Sequence, residues 1–297
     1  MGRIDLIKSY YYTKILSNAL VIKNINEKMI SFSANVEEES YVKEILKLIK
    51  PMMAVTSLSP GKIRIGENRD GGYVMLNPGF QGGVAYSFGV SSHSPWDDEM
   101  AARGFHVFQY DGTMQPPQAK PNLHFHPYNI TGDRDPQPDC KNIENIISDL
   151  GHEKENNIIL QIDIENAEWD FFAAISEKTL SKFSQIIVEF HRLTDFGHNI
   201  RQKHLDVLKK ICITHQSIHY HINNYGNVAV FSSCNIGYAI EVTYVRRQGN
   251  NFMPDYGEYP VYALDYPDNP MLPDIYIGNL EILLSGADTL SDLSLEE

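Results

Sequence analysis

Short apolar runs alternate with amphipathic stretches from about residue 84 onward, and this alternation limits the fold more than any other feature of the sequence. The β-like runs are Val84–Phe88, His106–Tyr110, Leu123–Phe125, Ile158–Ile164, Ile186–Phe190 and Ser217–Ile222. Helical stretches separate several of these runs, near Asp97–Arg103, Asn142–Leu150, Glu168–Ile175 and Asn199–Lys210. Strands that alternate with helices pair in parallel and are covered by helices on both faces. We therefore predict an α/β fold around a mostly parallel sheet.

The regions on either side of this alternation define three segments. Residues 38–50 have the apolar spacing of an amphipathic helix. Two late runs, Asn227–Ser232 and Tyr238–Arg246, have no helix between them, which predicts a C-terminal antiparallel hairpin that closes the sheet. The chain after Gly249 is rich in Pro, Tyr and Asp and either covers a pocket or packs as an ordered tail. We divide the chain into an N-terminal helical extension (1–60), a core (61–248) and a C-terminal tail and possible lid (249–297).

Composition limits the partners and the compartment. The 297 residues carry a formal net charge of -13, whereas nucleic acids and anionic membranes are bound through clustered Lys and Arg. We therefore expect a small-molecule ligand and no nucleic-acid partner. Three widely spaced cysteines without a Cys-x-x-Cys pair indicate neither a disulfide framework nor a zinc knuckle, which is typical of a reducing, cytoplasmic setting. No segment reaches the roughly 20 apolar residues of a membrane span, so we expect no membrane insertion. Oligomeric state is left open.

The loop after the first core strand has the features of a nucleoside site. Gly89 follows that strand directly, at the place where the backbone approaches a ligand in an open parallel sheet, and Ser91 and Ser92 come next. Asp111 ends the following strand 22 positions later, where a carboxylate binds ribose hydroxyls. The plain alternative is a glycine turn with a capping aspartate. The absence of a full G-x-G-x-x-G and the acidic residues at 97–99 favour a cationic nucleoside over a dinucleotide.

Carboxylates and histidines follow the later strands at corresponding positions. They are Asp163, Glu165 and Glu168 after one strand, Glu189 and His191 at the next, and His219, His221, Asn223 and Asn224 at the third. Each residue alone has an ordinary alternative as a helix cap, a packed histidine or a turn asparagine. Because the carboxyl ends of parallel strands meet at one edge of the sheet, we expect these groups to converge on one site.

Seven short motifs occur in order between Lys62 and Arg247. They are R-x-G-x-x-x-D-G-G-Y (64–73), YSFGVSS (86–92), FQYDGT (108–113), DIENAEW (163–169), VEFH (188–191), HINNYG (221–226) and EVTYVR (241–246). This set resembles the FkbM-like S-adenosylmethionine-dependent methyltransferases and their animal methyltransferase-like relatives. Two positions depart from the family pattern, since Asn166 and Gly112 stand where it has a glycine and a proline, respectively.

The resemblance implies a seven-stranded class I (Rossmann-like) methyltransferase fold and S-adenosylmethionine as methyl donor. It also implies O-methylation of a small-molecule hydroxyl, which we expect on a sugar or phosphate-linked precursor of a surface glycan. Gly89 and the Ser91–Ser92 loop would then contact the methionine end of the cofactor, Asp111 its ribose and Asp163 the region of the sulfonium.

Methyl transfer requires an aligned acceptor and a group that takes its proton. His191 is the first choice for that base and His221 the second, because imidazole titrates near neutrality; Asp163 completes the catalytic set. A divalent ion such as Mg²⁺ or Mn²⁺ could also lower the pKa of the acceptor hydroxyl. Its candidate ligands are Asp163, Glu165, Glu189, His191 and His221. Alternatively, these carboxylates serve only as cofactor contacts.

We assign acceptor binding to Arg69, Glu165, Asn223 and Asn224, with Arg69 as the partner of an anionic group. The bland alternative for residues 62–73 is a surface hairpin that turns at Asp70-Gly71. Two other functions remain open at this point. A non-catalytic methyltransferase-like partner subunit would bind without turnover, and an NAD-dependent oxidoreductase is disfavoured by the missing dinucleotide glycines.

Overall fold

The computed structural model describes residues 30–32, 35–55 and 61–284. The predictions for residues 1–29 and 285–297 lie outside these ranges. The strands are β1 Ile30–Phe32, β2 Met52–Val55, β3 Lys62–Ile65, β4 Tyr73–Leu76, β5 Gly83–Phe88, β6 Phe105–Tyr110, β7 Leu123–His126, β8 Asn129–Ile130, β9 Cys140–Lys141, β10 Ile158–Ile162, β11 Phe183–Phe190, β12 His215–Ile222, β13 Val228–Val230, β14 Asn235–Gly237, β15 Ile240–Arg246 and β16 Asn251–Pro254. The helices are α1 Val36–Ile49, α2 Pro95–Ala102, α3 Ile143–Asp149, α4 Glu168–Ala174, α5 Glu177–Leu180, α6 His198–Thr214 and α7 Leu280–Leu284.

A seven-stranded mixed sheet with the order β12-β15-β11-β10-β5-β6-β7 forms the centre of the protein. Six strands run parallel, and β15 runs antiparallel between β11 and β12. Numbered in chain order, the six parallel strands have the order 3-2-1-4-5-6 of a doubly wound nucleotide-binding sheet. The α/β prediction with a mostly parallel sheet is therefore confirmed.

The predicted C-terminal hairpin is wrong in its pairing. The chain turns after β13, where the N–H of Phe231 donates to the carbonyl of Cys234, and returns as β14. β13 therefore pairs with β14 and with β1 in a separate three-stranded sheet. β15 takes both of its partners from the central sheet, so the antiparallel strand exists but is inserted rather than added through a hairpin.

Apolar side chains alternate along the strands, so each face of the sheet has its own core. One face packs against apolar residues of α1, α3, α4 and α6. The other face packs against α2 and the hairpin of β3 and β4, through residues such as Trp96, Met100 and Tyr73. The second face becomes polar toward the carboxyl ends of the strands, and those polar positions form the candidate site.

The flanking segments pack on the same core. In α1, Tyr41, Val42 and Ile45 are buried, and Asn35 caps the helix by accepting from the N–H of Glu37. After β15, β16 pairs with β2, and the chain continues over the polar face to α7. The boundaries at residues 60 and 248 remain a prediction. Within residues 30–32, 35–55 and 61–284, no helix is long and apolar enough to cross a membrane.

Two buried histidines predict an acid-sensitive fold. Burial lowers the pKa of His204 to about 4, and it lowers the pKa of His215 to about 4 as well. The unfolded chain therefore binds these two protons near pH 6.5 and the folded chain only near pH 4. The free energy of unfolding should fall as the pH drops from about 6.5 toward 4.

His204→Gln should make this fall shallower by about 1.4 kcal/mol per pH unit, which corresponds to one proton. Glutamine can still bond the Tyr41 hydroxyl, which lies 2.7 Å from Nδ1 of His204. Urea unfolding between pH 4 and 8 measures the slope, with His198→Gln as an exposed control. An unchanged slope in His204→Gln would contradict the assignment.

Candidate active site

The carboxyl ends of β5 and β10 approach each other at Gly89. Gly89 has a φ of +79°, and a Cβ built on it would lie 1.6 Å from the carbonyl oxygen of Asp163. Its N–H donates to the carbonyl of Tyr110 at 3.0 Å, which ties the same loop to β6. Only glycine fits such an approach. The strand order reverses between β5 and β10, which is where open α/β sheets bind their ligands.

A cavity of about 570 Å³ opens at this reversal point, a size that suits a small-molecule ligand. Its described lining includes six carboxylates, from Asp70, Asp97, Asp111, Asp163, Glu165 and Asp268, but only one arginine, Arg69. Of the predicted site residues, the lining contains Arg69, Gly89, Ser91, Asp111, Asp163 and Glu165. The predicted residues outside that described lining are Ser92, Glu189, His191, His221, Asn223 and Asn224.

The sequence left two roles open for Asp111, capping a turn or binding a ribose, and the structure shows the contacts of a turn cap. Its Oδ1 accepts from the N–H of Thr113 at 2.7 Å and from the N–H of Met114 at 3.2 Å. Its Oδ2 accepts from the N–H of Val90 at 3.2 Å, which joins the loops after β5 and β6. The Thr113 hydroxyl also donates to Oδ1, at 2.6 Å. Each carboxylate oxygen offers about two acceptor positions, so Asp111 holds both loops, and one position on Oδ2 remains for a further donor.

The turn after β10 is held by a buried glutamate. Glu165 and Asn166 have positive φ angles of 53° and 87°, and asparagine adopts this region more readily than most residues. Asn166 can therefore adopt the positive φ of this turn at the position where the FkbM-like pattern has glycine. Glu168 is fully buried, and its Oε1 accepts from the N–H groups of Ile164 and Asn166.

The same Glu168 oxygen orients His191. Nδ1 of His191 lies 2.9 Å from Oε1 of Glu168, so Nδ1–H donates and Nε2 faces the other way. Nε2 lies 3.8 Å from Oδ1 of Asp163, 3.7 Å from Oε2 of Glu165 and 3.7 Å from Oε1 of Glu189. We call Asp163, Glu189 and His191 the His191 cluster; its ligand atoms lie within 4.8 Å of one another.

Burial and mutual repulsion raise the pKa values of the carboxyl groups in this cluster. Burial raises the pKa of Asp163 to about 7, although the neighbouring His191 opposes the shift. Burial and the charge of Asp163 raise the pKa of Glu189 well above its ordinary range. Burial lowers the pKa of His191, but the Glu168 hydrogen bond and charge outweigh it, so the net shift is upward. Such perturbed groups are typical of functional sites.

A second group of ligands lies one strand further along the sheet. His221 pairs across the strands with Glu241, and Glu241 pairs with Glu189. Nδ1 of His221 lies 3.2 Å from Oε2 of Glu241 and 3.7 Å from Oδ2 of Asp268. We call His221, Glu241 and Asp268 the His221 cluster. The sequence predicted one set of metal ligands that included both His191 and His221. In the structure the two histidines belong to separate clusters, because His221 lies beside Glu241 and Asp268.

Several predicted site residues hold the C-terminal segment in place. Asn224 is fully buried, and its Nδ2 donates to the carbonyls of residues 269, 272 and 273. His219 lies 2.8 Å from Asp265. Asn223 donates to Oε1 of Glu189 at 2.8 Å. Asn224 therefore lies beneath the segment, whereas Asn223 is bonded to Glu189 of the central sheet. Neither asparagine is in the described lining of the cavity, where an acceptor would bind.

A polar row at the cavity floor was not anticipated from the sequence. Gln109 donates to Asp97 at 2.5 Å, and Ser87 donates to Gln161 at 2.9 Å. Burial raises the pKa of Asp97 to about 6, against the hydrogen bond from Gln109. The sequence signal that could have revealed it is one polar residue at the penultimate position of each of β5, β6 and β10. These residues, Ser87, Gln109 and Gln161, are paired across the strands and therefore share one face.

Arg69 lies at the cavity rim and forms an exposed ion pair with Glu67 at 2.5 Å. Arg64 has a structural role instead, because its guanidinium donates to the carbonyls of Glu67, Arg69 and Leu264. Lys62 donates to the hydroxyl of Tyr259 and to the carbonyl of Ile218. Of these three cations, Arg69 alone lies in the described lining.

No protein-family model matches the sequence, and no curated protein matches it. The functional assignment therefore rests on the motifs and the geometry of the site.

Gly89→Ala should be strongly destabilising, because the new Cβ would collide with the Asp163 carbonyl and the residue would keep a positive φ. We expect a loss above about 2 kcal/mol in the free energy of unfolding. Gly151→Ala is the matched control, since Gly151 also has a positive φ of 71° but no atom lies within 4 Å of its Cβ position. It should lose only about 1 kcal/mol. Equal losses in thermal or urea unfolding would show that the close approach is not a constraint.

Proposed function

We propose that this protein is an S-adenosylmethionine-dependent O-methyltransferase of the FkbM-like family that acts on a small-molecule hydroxyl. The observation that carries the proposal is the acidic cavity at the reversal point of the sheet, with Asp163 in its lining and the oriented His191 directly behind Asp163. The order and spacing of the seven motifs support the family assignment.

The sheet supports the proposed class I methyltransferase fold. The resemblance implies seven strands, and the sheet has seven, with six in the order of nucleotide-binding doubly wound proteins. Gly89 is at the tip of the first strand and Asp111 at the tip of the second, where a nucleoside cofactor would be bound. Both residues line the cavity.

The charge of the cavity supports a cationic ligand. The lining has six carboxyl groups against one arginine. Burial raises the pKa of Asp163 to about 7 and that of Asp268 to about 8, so these two groups share protons at neutral pH. The remaining negative charge still favours the sulfonium and ammonium groups of adenosylmethionine over the diphosphate of NADH. Of the acidic residues at 97–99, only Asp97 is in the described lining. Asp98 pairs with Lys120, and Glu99 pairs with Arg103. An anionic group of the acceptor would therefore lie toward Arg69 at the rim.

The chemistry falls to Asp163 and His191. Bound adenosylmethionine supplies a methyl group on a positively charged sulfur. Asp163 reaches the cavity, so we assign it to accept the acceptor hydroxyl's proton as the carbon–sulfur bond breaks and the carbon–oxygen bond forms. His191 lies directly behind it, only 5% exposed, and its partial positive charge keeps Asp163 ionisable near neutral pH. His191 therefore tunes the proton acceptor.

The His191 cluster is also a candidate for Mg²⁺ or Mn²⁺, as the sequence suggested. Two carboxylates and an imidazole nitrogen lie within 4.8 Å of one another, and Oε2 of Glu165 is near the same nitrogen. An ion there would lower the pKa of the acceptor hydroxyl in place of a protein base.

If such an ion takes part in the reaction, EDTA-treated protein should lose turnover, and added Mg²⁺ or Mn²⁺ should restore it. Turnover that survives EDTA would leave Asp163 as the proton acceptor.

Asp111→Asn should weaken adenosylmethionine binding about 10- to 100-fold, because a charge-assisted hydrogen bond contributes roughly 1.5–3 kcal/mol. Asparagine keeps one oxygen acceptor for the turn. Asp98→Asn is the control, since Asp98 pairs with Lys120 outside the described lining. Equilibrium dialysis with labelled adenosylmethionine measures both. An affinity unchanged in Asp111→Asn would remove the ribose contact from the proposal.

Turnover of wild-type protein should rise with pH through about 7, because Asp163 must lose its proton to act as a base. His191→Gln removes the neighbour that lowers the pKa of Asp163, so this rise should move to higher pH, with kcat about tenfold or more lower at neutral pH. Methyl transfer to a panel of sugars and sugar phosphates measures the profile, with His93→Gln at the cavity rim as the control. A non-catalytic partner subunit would bind adenosylmethionine but give no turnover.

A further inference from the structure

The His221 cluster contains three buried carboxylate oxygens that have no hydrogen-bond partner among the described residues. Asp268 is 1% exposed, and neither of its carboxylate oxygens has a hydrogen-bond partner among the described residues. Oε1 of Glu241, a residue 6% exposed, likewise has none within the described part of the chain. A buried carboxylate without partners costs several kcal/mol unless a proton or a cation compensates it.

The orientation of His221 makes a cation the better fit. Oδ1 of Asp274 lies 2.9 Å from Nε2 of His221, so a neutral ring carries its proton on Nε2 and donates it to Asp274. The lone pair on Nδ1 then faces Oε2 of Glu241 and Oδ2 of Asp268, at 3.2 and 3.7 Å. A proton on Nδ1 can bond Oε2 of Glu241 but leaves both oxygens of Asp268 without a hydrogen-bond partner among the described residues, whereas a metal ion in place of that proton would bind all three ligands.

We propose that His221, Glu241 and Asp268 bind a divalent transition-metal ion that fastens the C-terminal segment to the central sheet. This site is separate from the His191 cluster and does not depend on the proposed methyl transfer.

The donor set identifies the class of ion. One imidazole nitrogen with two carboxylates suits Mn²⁺, Fe²⁺ or Zn²⁺, whereas Mg²⁺ and Ca²⁺ prefer oxygen ligands alone. Asp274 acts as the outer partner that fixes the histidine, an arrangement common around metal-bound imidazole. Asp268 also lines the cavity, so an ion can reach the cluster from solvent.

The position of the ligands gives the ion a structural task. His221 and Glu241 belong to neighbouring strands, while Asp268 belongs to the segment that crosses them. That segment brings Asp268 and Pro270 to the cavity wall. An ion shared by the sheet and the segment would therefore hold this wall in place.

The test uses the full chain after EDTA treatment, titrated with Mn²⁺, Zn²⁺ or Mg²⁺ while binding and Tm are measured. Wild-type protein should bind Mn²⁺ or Zn²⁺ at least tenfold more tightly than Mg²⁺ at this cluster and gain Tm on binding. Glu241→Gln and Asp268→Asn should each lose this ion and the gain in Tm. Asp274→Asn should weaken binding about 10- to 100-fold.

Two controls separate this site from other effects. Asp265→Asn removes the ion pair with His219 that anchors the same segment, so it should lower the metal-free Tm but keep the metal-dependent gain. Glu189→Gln removes a ligand of the His191 cluster and should leave the gain intact. The proposal is overturned if Glu241→Gln and Asp268→Asn, folded by circular dichroism, keep the wild-type stoichiometry and gain in Tm.

Discussion

The register of the central sheet places charged side chains of neighbouring strands in one row, and the rest of the site depends on this row. Cross-strand pairing joins Glu189 to Glu241 and Glu241 to His221. Asp163 immediately follows the adjoining strand β10, whose last residue, Ile162, pairs with the neighbour of Glu189. Like charges at such positions in a poorly solvated interior repel strongly. Each carboxylate must therefore hold a proton, face a histidine or bind a cation, and the structure provides histidines at two points along the row.

The two histidines are fixed by different partners and so serve different parts of the molecule. Glu168 holds Nδ1 of His191 and directs Nε2 toward carboxylates beside the cavity. Asp274 holds Nε2 of His221 and directs Nδ1 toward Glu241 of the sheet and Asp268 of the C-terminal segment. The first arrangement suits proton transfer or a metal near the ligand, whereas the second suits a structural ion. The proposed proton transfer and the proposed ion site thus use the same residue types, but opposite ring nitrogens of the two histidines face the carboxylates.

The sequence predicts the central sheet well because local periodicity determines it. The strands that carry Gly89, Asp111 and Asp163 end within two residues of the predicted positions, since buried runs and glycine turns are local features. The insertion of β15 was not predictable in this way. Two strands that follow each other in the chain usually pair as a hairpin. β15 instead pairs with β11 and β12, which are distant in the sequence, so its position depends on tertiary packing and not on a local pattern.

The candidate site was predictable in its residue types but not in their grouping. Convergence at the strand ends brought Asp163, Glu189 and His191 together as expected. His221 could not be assigned from the sequence, because its partners Asp268 and Asp274 come from a distant segment with no periodic pattern. The role of Asn224 was hidden for the same reason, since its partners are backbone carbonyls.

The most direct test of the central claim is a calorimetric titration of the wild-type protein with adenosylmethionine and, separately, with NADH. The acidic cavity beside Gly89 and Asp111 predicts saturable binding of the cationic nucleoside and no saturable binding of the dinucleotide. Tight binding of NADH without binding of adenosylmethionine would contradict the account and identify the cavity as a dinucleotide site.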